Sequence, residues 1–314
     1  MDVKRSPIDW ILFATLTALW GSAYAFTRMA VNQDNLSAGF SPELIIPMRL
    51  TGGAILLLII ARISGEKWPP VSDWKSWVAM AVMGLAGTAV PFFAITHAQQ
   101  TVDSSLAALY VAAAPLFVSI MAHMIFHDDR MTPSKVVGII VGFLGVAVLF
   151  GPEAVSAFGS ASVTAQVLCL MATFCYALSS IIARFAKDIP PFVFSAGFVS
   201  IGAVATWPFL LNVDYASVAP ASSAIVGVIG LIIGPTAAAS VLYMFLIQRT
   251  SASFVSLTGY LIPIFSAIVG YLAFREVQDW NAVIAFALIL SGIWISQLSN
   301  RAIVPIDEKR PQSR

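Results

Sequence analysis

Residues 104 to 126, SSLAALYVAAAPLFVSIMAHMIF, form a long apolar run with a single proline, Pro115, near its middle. A second run of the same design, ASFVSLTGYLIPIFSAIVGYLAF, covers residues 252 to 274 and has Pro263 at its centre, 148 residues after Pro115. Two runs that share length, composition and proline position indicate an internal duplication, which decides how the rest of the chain is interpreted.

The register of the duplication extends well beyond the two runs. At the same spacing of 148 residues, Thr88 falls on Thr236, and Asp128 falls on Glu276. At a spacing of 156 residues, Trp20 also falls on Tyr176. The chain is therefore predicted to contain two related units, over residues 8–151 and 163–299, and a mobile cytoplasmic tail over residues 300–314.

The composition is that of an integral membrane protein. Of the 314 residues, 59% are hydrophobic and 11% are charged, whereas soluble domains carry roughly 25% charged residues. The net charge of +1 supplies no basic field that would attract nucleic acid. Apolar runs long enough to cross a bilayer as helices cover residues 8–29, 43–62, 74–96, 104–126, 134–151, 163–185, 191–210, 223–246, 252–274 and 281–299.

The predicted fold is all-α, with ten transmembrane helices. If the N-terminus is cytoplasmic, 14 of the 17 lysines and arginines fall on the inner side, as the positive-inside rule expects. Both termini are then cytoplasmic. Because each unit holds five helices, an odd number, the second unit crosses the membrane inverted relative to the first. Inverted repeats are common in secondary transporters, where the substrate site lies near the midplane between the repeats.

Several motifs resemble those of the drug/metabolite transporter superfamily, specifically its EamA-like bacterial members. They include ALWGSAYAFTR at residues 18–28, Arg49 in MRLTGGAIL, the two proline-centred runs, and VGIIVGFLGVAVL at residues 137–149. The resemblance implies small-metabolite transport, such as amino acid efflux across the inner membrane. It also implies a central cavity between helices one to four and six to nine, with helices five and ten at the periphery.

Arg49 is the charged residue expected inside a span, in the second helix. A buried charge in the membrane usually faces a cavity or a partner. Arg49 is therefore either an anchor for a substrate carboxylate or a structural cap on the carbonyls of a neighbouring helix. The corresponding position of the second unit is near Phe198, so the charge occurs once, which suits a carboxylate better than a phosphate.

Aromatic residues within the spans are further candidates for substrate binding, since tyrosine and tryptophan offer an apolar body and a polar tip. Packing between helices is the alternative for each. Thr88 is a candidate as well, although its hydroxyl could instead satisfy a backbone group freed by a nearby proline. The predicted substrate-binding residues are Arg49, Trp20, Tyr24, Thr88, Tyr110, Tyr176, Tyr243 and Tyr260.

Three prolines, Pro91, Pro115 and Pro263, are predicted to kink helices or to act in gating, because a proline interrupts the helical hydrogen-bond ladder. The glycines Gly138, Gly142 and Gly145 are predicted to allow close helix packing. His97 and His123 fall at span ends, where histidine could couple transport to protons. Coupled and facilitated transport both remain open, as do export and import.

An uptake permease and a sugar-phosphate or nucleotide-sugar carrier on the same fold are the alternative functions. An intramembrane enzyme is remote, since the chain has no H-E-x-x-H metal motif and no nucleophile with a base at a defined spacing. No cofactor and no metal site are predicted. The expected partners are a small-molecule substrate and the lipid bilayer, without nucleic acid, and the protein is expected to act as a monomer.

Overall fold

The computed structural model describes residues 6–32, 35, 38–102, 107, 110–111, 114–125, 131–156, 162–186, 188–215, 218–250, 255, 258–275 and 280–298. The described residues are predominantly helical. The helices are α1 (Pro7–Val31), α2 (Pro42–Ser64), α3 (Trp74–Ala98), α4 (Ala114–Ile125), α5 (Pro133–Ser156), α6 (Ser162–Phe185), α7 (Pro191–Thr206), α8 (Ser222–Arg249), α9 (Thr258–Phe274) and α10 (Trp280–Leu298). A 3-10 helix, Trp207–Asn212, continues α7.

Six of these helices have the length and apolar composition that a membrane crossing requires: α1, α2, α3, α6, α7 with its 3-10 extension, and α8. Shorter apolar stretches lie in α5, α9 and α10. Trp10, Trp74, Trp207 and Trp280 are exposed at or near helix ends, where interfacial tryptophans are expected. An all-helical membrane protein is confirmed, whereas the count of ten crossings in two repeats stays a prediction.

Helices α3 and α8 each contain a π-helical segment, Leu85–Ala89 in α3 and Ile232–Ala238 in α8. The two segments coincide at the 148-residue spacing of the sequence register. The α3 segment ends just before Pro91, and Pro235 lies inside the α8 segment. Because proline lacks the N–H that an α-helix uses, a local change of helical pitch accommodates it. The role of Pro91 in a kink or in gating stays a prediction.

The packing between helices α1–α5 and helices α6–α10 is symmetrical: each main pair has a counterpart in which every helix is replaced by its equivalent in the other set, α1 by α6, α2 by α7 and so on. Helix α1 packs on α8 and α9, and in the same way α6 packs on α3 and α4. Helix α2 packs on α8, and α7 packs on α3. The two remaining main pairs, α2 with α7 and α5 with α10, map onto themselves. Helices α5 and α10 pack chiefly on each other, which matches the peripheral position that the family resemblance implies.

Glycines allow the closest of these approaches. A Cβ atom added at Gly84 of α3 would lie 2.5 Å from the backbone oxygen of Phe198 in α7. In the counterpart of this pair, formed by α2 and α8, a Cβ at Gly53 of α2 would lie 2.6 Å from Cγ2 of Thr236 in α8. Between α10 and α5, a Cβ at Gly292 would meet the backbone of Gly138 and Gly142 at 2.5–2.6 Å. The prediction that the α5 glycines serve close packing is confirmed.

Two polar contacts tie helix ends together near the predicted cytoplasmic side. The carboxylate of Asp9, at the start of α1, accepts a hydrogen bond of 2.7 Å from Nε of Arg249 at the end of α8. Oε2 of Glu66, just after α2, accepts hydrogen bonds from the backbone N–H groups of Phe192 (3.0 Å) and Val193 (3.1 Å). Glu66 therefore caps the N-terminus of α7 from another helix, where the helix dipole also favours a negative charge.

We expect Glu66→Ala to lower the free energy of unfolding by about 1 kcal/mol, the usual effect of losing an N-terminal cap. Thermal unfolding in detergent would measure the change. Lys67→Ala, on the neighbouring exposed residue, is the control and should leave the unfolding temperature unchanged. Equal unfolding temperatures for Glu66→Ala and Lys67→Ala would contradict the capping role.

Candidate functional site: a cavity around Arg49

A cavity of about 150 Å³ lies among helices α1–α4 and α6–α9. An apolar cavity of that volume is large enough for a molecule the size of benzene. Its apolar wall includes Phe92, Pro115, Phe198 and Pro235. Its polar and amphipathic lining residues are Trp20, Tyr24, Thr27, Arg49, Thr88, Thr96, Gln99, Tyr176, Ser179, Ser180, Ser240, Tyr243 and Thr258.

Arg49 is the positively charged residue among the described residues of this wall, and it is 5% exposed. Its Nε donates a hydrogen bond of 2.7 Å to the hydroxyl of Thr236 in the π segment of α8. Its guanidinium carbon lies 3.6 Å from the centroid of the Phe92 ring in α3, a cation–π contact. Among the described residues no carboxylate pairs with it. Two neutral contacts thus hold a charged group at the edge of the cavity.

The exchange-related position on α7 is different. Phe198 is 2% exposed and lines the cavity. Thr88 of α3, the counterpart of Thr236, donates its hydroxyl hydrogen to the backbone oxygen of Gly84 in its own helix. The two threonines therefore have different partners, because one faces an arginine and the other lies next to an apolar helix. The bond that Thr88 makes is to Gly84 and not to Gly87, whose carbonyl is the one that Pro91 would leave free four residues back, and Thr88 also lines the cavity.

Aromatic side chains form one side of the cavity. The rings of Trp20 in α1 and Tyr243 in α8 are 5.4 Å apart. Ser180 of α6 lines the same cavity. Tyr176 lies one turn before Ser180 and accepts a hydrogen bond of 3.0 Å from it at the backbone oxygen.

A hydrogen bond joins α3 to α1 beside the cavity. Nε2 of Gln99 donates to the backbone oxygen of Tyr24 at 3.1 Å. Tyr24 lies one turn beyond Trp20 along α1, or about 6 Å at 1.5 Å per residue. Because Trp20 contacts Tyr243, the Gln99–Tyr24 hydrogen bond and the Trp20–Tyr243 ring contact lie at different levels of the cavity.

Six of the eight predicted substrate-binding residues lie on this one wall: Arg49, Trp20, Tyr24, Thr88, Tyr176 and Tyr243. Tyr110 is buried in packing between α4 and α6, where its backbone oxygen accepts a 3.0 Å hydrogen bond from Thr173. Of the predicted kink residues, Pro115 lines the cavity and Pro91 is buried in α3 away from the lining. The side chains of Tyr260 and Pro263 lie outside the described residues, although the α9 backbone passes through both positions.

Sequence reasoning missed several wall residues. Phe92, which stacks on Arg49, gave no signal because a phenylalanine in an apolar run is indistinguishable from a lipid-facing one. Gln99 and Ser180 could have been found as polar residues inside or at the end of apolar spans. Phe198 was recognised as the counterpart of Arg49, but it was given no function.

His97, in the last turn of α3, has an identifiable partner. Its Nε2 lies 3.1 Å from Oε1 of Glu43 at the start of α2, and its ring packs on Phe93 with centroids 4.1 Å apart. Neither His97 nor Glu43 lines the cavity. The pair therefore joins α2 to α3 outside the candidate site.

Comparison with known proteins identifies the family. The model of the EamA-like transporter family matches residues 8–151 and again residues 163–298, which together make up most of the chain. The chain belongs to the EamA-like transporter family. As the sequence motifs indicated, it is a membrane transporter of the drug/metabolite type, and the family gives no indication of an enzyme.

Several relatives that align with this chain over nearly their whole length are named as transporters. An uncharacterized transporter of Archaeoglobus fulgidus is 26% identical, over 91% of this chain and 97% of its own. A protein of Streptantibioticus cattleyicolor named "probable terminal-alkyne amino-acid exporter" is 24% identical, over 93% and 94%. The uncharacterized inner membrane transporter YedA of Escherichia coli K12 is 25% identical, over 90% of each chain. These likenesses support a multi-pass protein of the inner membrane.

A solved crystal structure has the same fold. It aligns with 95% of this chain and 99% of its own, with a TM-score of 0.71 and 22% sequence identity. At that identity the likeness concerns the fold alone.

Proposed function

We propose that this EamA-like transporter exports amino acids or related small carboxylates across the inner membrane by alternating access. The observation that carries the proposal is the buried Arg49 guanidinium on the wall of a cavity sized for a small organic solute. An amino-acid exporter among the relatives supports the same substrate class and direction. Cytoplasmic termini follow from the distribution of lysine and arginine.

Arg49 is the proposed anchor for the substrate carboxylate. A guanidinium carries five N–H donors in a planar fork that matches a carboxylate, and here Nε is already bound to Thr236. The contacts with Thr236 and Phe92 fix the orientation of the side chain without neutralising its charge. A carboxylate reaching Arg49 would therefore find an oriented cation, and ordering the side chain would cost little additional entropy.

The exchange pattern of helix packing supports two inverted units. Each pair that α1, α2 or α3 makes across the molecule has its counterpart in α6, α7 or α8, and the π segments of α3 and α8 correspond as well. The family model also matches the chain twice. Two five-helix units of this kind, over residues 8–151 and 163–299, would rock around the cavity to expose it to each side in turn.

Two contacts beside the cavity are the proposed closing contacts. The Gln99–Tyr24 hydrogen bond joins α3 to α1, and the ring contact between Trp20 and Tyr243 joins α1 to α8. Because the two contacts lie at different levels, breaking one while keeping the other would open one end of the cavity. Trp20, Tyr24, Thr88, Tyr176 and Tyr243 would then contact the substrate between these levels.

We expect Tyr243→Leu to favour opening of the cavity at the Tyr243 end, since it removes the ring that packs on Trp20 and keeps an apolar side chain. A cysteine placed at Thr258, in a variant with alanine at Cys169 and Cys175, would report the opening by its rate of reaction with a soluble maleimide. Losing an aromatic contact of about 1 kcal/mol should raise that rate roughly fivefold. Tyr271→Leu, on an exposed tyrosine of α9, is the control. An unchanged rate in Tyr243→Leu would remove the closing role of this ring contact.

The functional test is efflux from proteoliposomes that contain the purified protein and are loaded with labelled solutes. The panel should include neutral, acidic and basic amino acids, a sugar phosphate and a nucleotide sugar, each tested with and without a pH gradient. Saturable efflux of amino acids above that of empty liposomes is expected. Efflux of the phosphorylated solutes alone, from protein shown to be folded, would overturn the proposal. A rate that changes with the pH gradient would separate proton-coupled from facilitated transport.

A further inference from the structure

The two halves of the cavity wall differ at one pair of related positions, and the difference bears on substrate choice. Arg49 of α2 and Phe198 of α7 are exchange counterparts: the turn from Arg49 to Gly53 lies against the α8 π segment, and the turn from Phe198 to Gly202 lies against that of α3. Both side chains line the same cavity. A duplicated site with two arginines would carry two positive charges, whereas this one carries a guanidinium and a phenyl ring.

The surroundings of the two positions agree with their different chemistry. The hydroxyl of Thr236 accepts a hydrogen bond from Arg49. The hydroxyl of Thr88 instead donates to the carbonyl of Gly84 in its own helix and lies against Gly202 of α7, one turn beyond Phe198. Phe198 packs on Phe194, with ring centroids 5.6 Å apart. Phe194 is fully buried and backs the ring from within the protein. The Phe198 ring is thus held in place as an apolar surface of fixed position.

The volume of the cavity makes both surfaces available to one solute. At about 150 Å³, it holds a single molecule of a few heavy atoms beyond its carboxylate. A solute whose carboxylate reaches Arg49 must place the rest of its body against the remaining wall, which includes Phe198. A charged group in the side chain of an amino acid, beyond its α-carboxylate and α-amino group, would be desolvated against the ring without a partner there, which is costly.

We infer that Phe198 is the specificity-determining residue for the uncharged part of the substrate, so that the transporter selects monocarboxylates with an apolar body. The inference rests on the proposed function and adds the residue that selects among carboxylates. Arg49 would set the affinity for the head group, and Phe198 would set the size and polarity of the body that follows it.

The test is binding of alanine, leucine, phenylalanine and aspartate to the purified protein by titration calorimetry. The variants are Phe198→Ala and the milder Phe198→Leu. Removing the ring enlarges the cavity, so Phe198→Ala should bind alanine more weakly than the wild type does. The Kd for alanine divided by the Kd for phenylalanine should therefore rise about tenfold or more, as pocket changes of this size produce. Phe198→Leu should give a smaller shift in the same direction. Aspartate should bind the wild type at least about tenfold more weakly than leucine.

The control is Phe192→Ala, the same substitution on the same helix at a partly buried residue outside the cavity lining; it should leave the ratio unchanged. If the wild type binds the amino acids but both Phe198 variants keep the alanine-to-phenylalanine Kd ratio within twofold of the wild-type ratio, the role of Phe198 is overturned and the proposed function stands. Binding of aspartate as tight as that of leucine would also overturn it. Wild-type protein that binds none of the four would instead overturn the proposed function, and the specificity role with it.

Discussion

Replacing Arg49 by glutamine should weaken the binding of carboxylate substrates by about 10- to 100-fold, the range for losing a hydrogen bond to a charged group. Glutamine removes the charge and the guanidinium fork while keeping a polar side chain next to Thr236. Arg49→Lys should retain part of the affinity, because an ammonium keeps the charge but offers no planar pair of donors. Titration of the purified variants with the amino acid that the efflux panel identifies would measure both effects.

Arg62→Gln is the matched control, since Arg62 is an exposed arginine in the last turn of the same helix. Its substrate affinity should equal that of the wild type. If folded Arg49→Gln protein binds the amino acid within twofold of the wild type, Arg49 is a structural cap between α2 and α8, and the substrate site must be placed on the aromatic wall.

Replacing Gly84 by alanine should have the largest effect on stability. The added Cβ would lie 2.5 Å from the backbone oxygen of Phe198 and 3.0 Å from the backbone nitrogen of Gly202. Backbone atoms cannot rotate away as a side chain can, so α3 and α7 would have to separate. Overpacking of this kind costs about 1–3 kcal/mol. The unfolding temperature in detergent should fall by several degrees, and efflux should fall too, because the two helices carry Thr88, Phe92 and Phe198.

Gly259→Ala provides the comparison for Gly84→Ala. It makes the same chemical change in the first turn of α9, where its Cβ would meet the ring of Pro115 at 3.6 Å, an ordinary van der Waals contact. The account of close packing between α3 and α7 fails if Gly84→Ala unfolds at the same temperature as Gly259→Ala.

Much of the helical architecture was accessible from the sequence because helices that cross a bilayer need long apolar runs. Apolar runs of sufficient length predict the helices. Arg49 is recognisable within one of these runs because burying a charge in the membrane is costly and usually serves a function. The pairing of Trp20 with Tyr176 likewise pointed to two residues that lie on one wall. The small residues at Gly138 and Gly142 predicted the tight contact that α10 makes through Gly292.

The rest depends on contacts between distant parts of the chain. No local pattern distinguishes Tyr243, which reaches the cavity, from Tyr110, which packs between α4 and α6, since both are tyrosines within apolar runs. The stacking of Phe92 on Arg49 requires the relative placement of α2 and α3. In the sequence, the π segments of α3 and α8 are marked by a threonine close to a proline. An ordinary proline kink would show the same pattern.

The most direct measurement is an experimental structure of the purified protein with the best-transported amino acid bound. The account predicts the carboxylate within hydrogen-bond distance of the Arg49 guanidinium and the side chain of the amino acid against Phe198. A solute bound elsewhere, or a cavity in which Arg49 points away from the bound carboxylate, would contradict the claim that this cavity is the transport site.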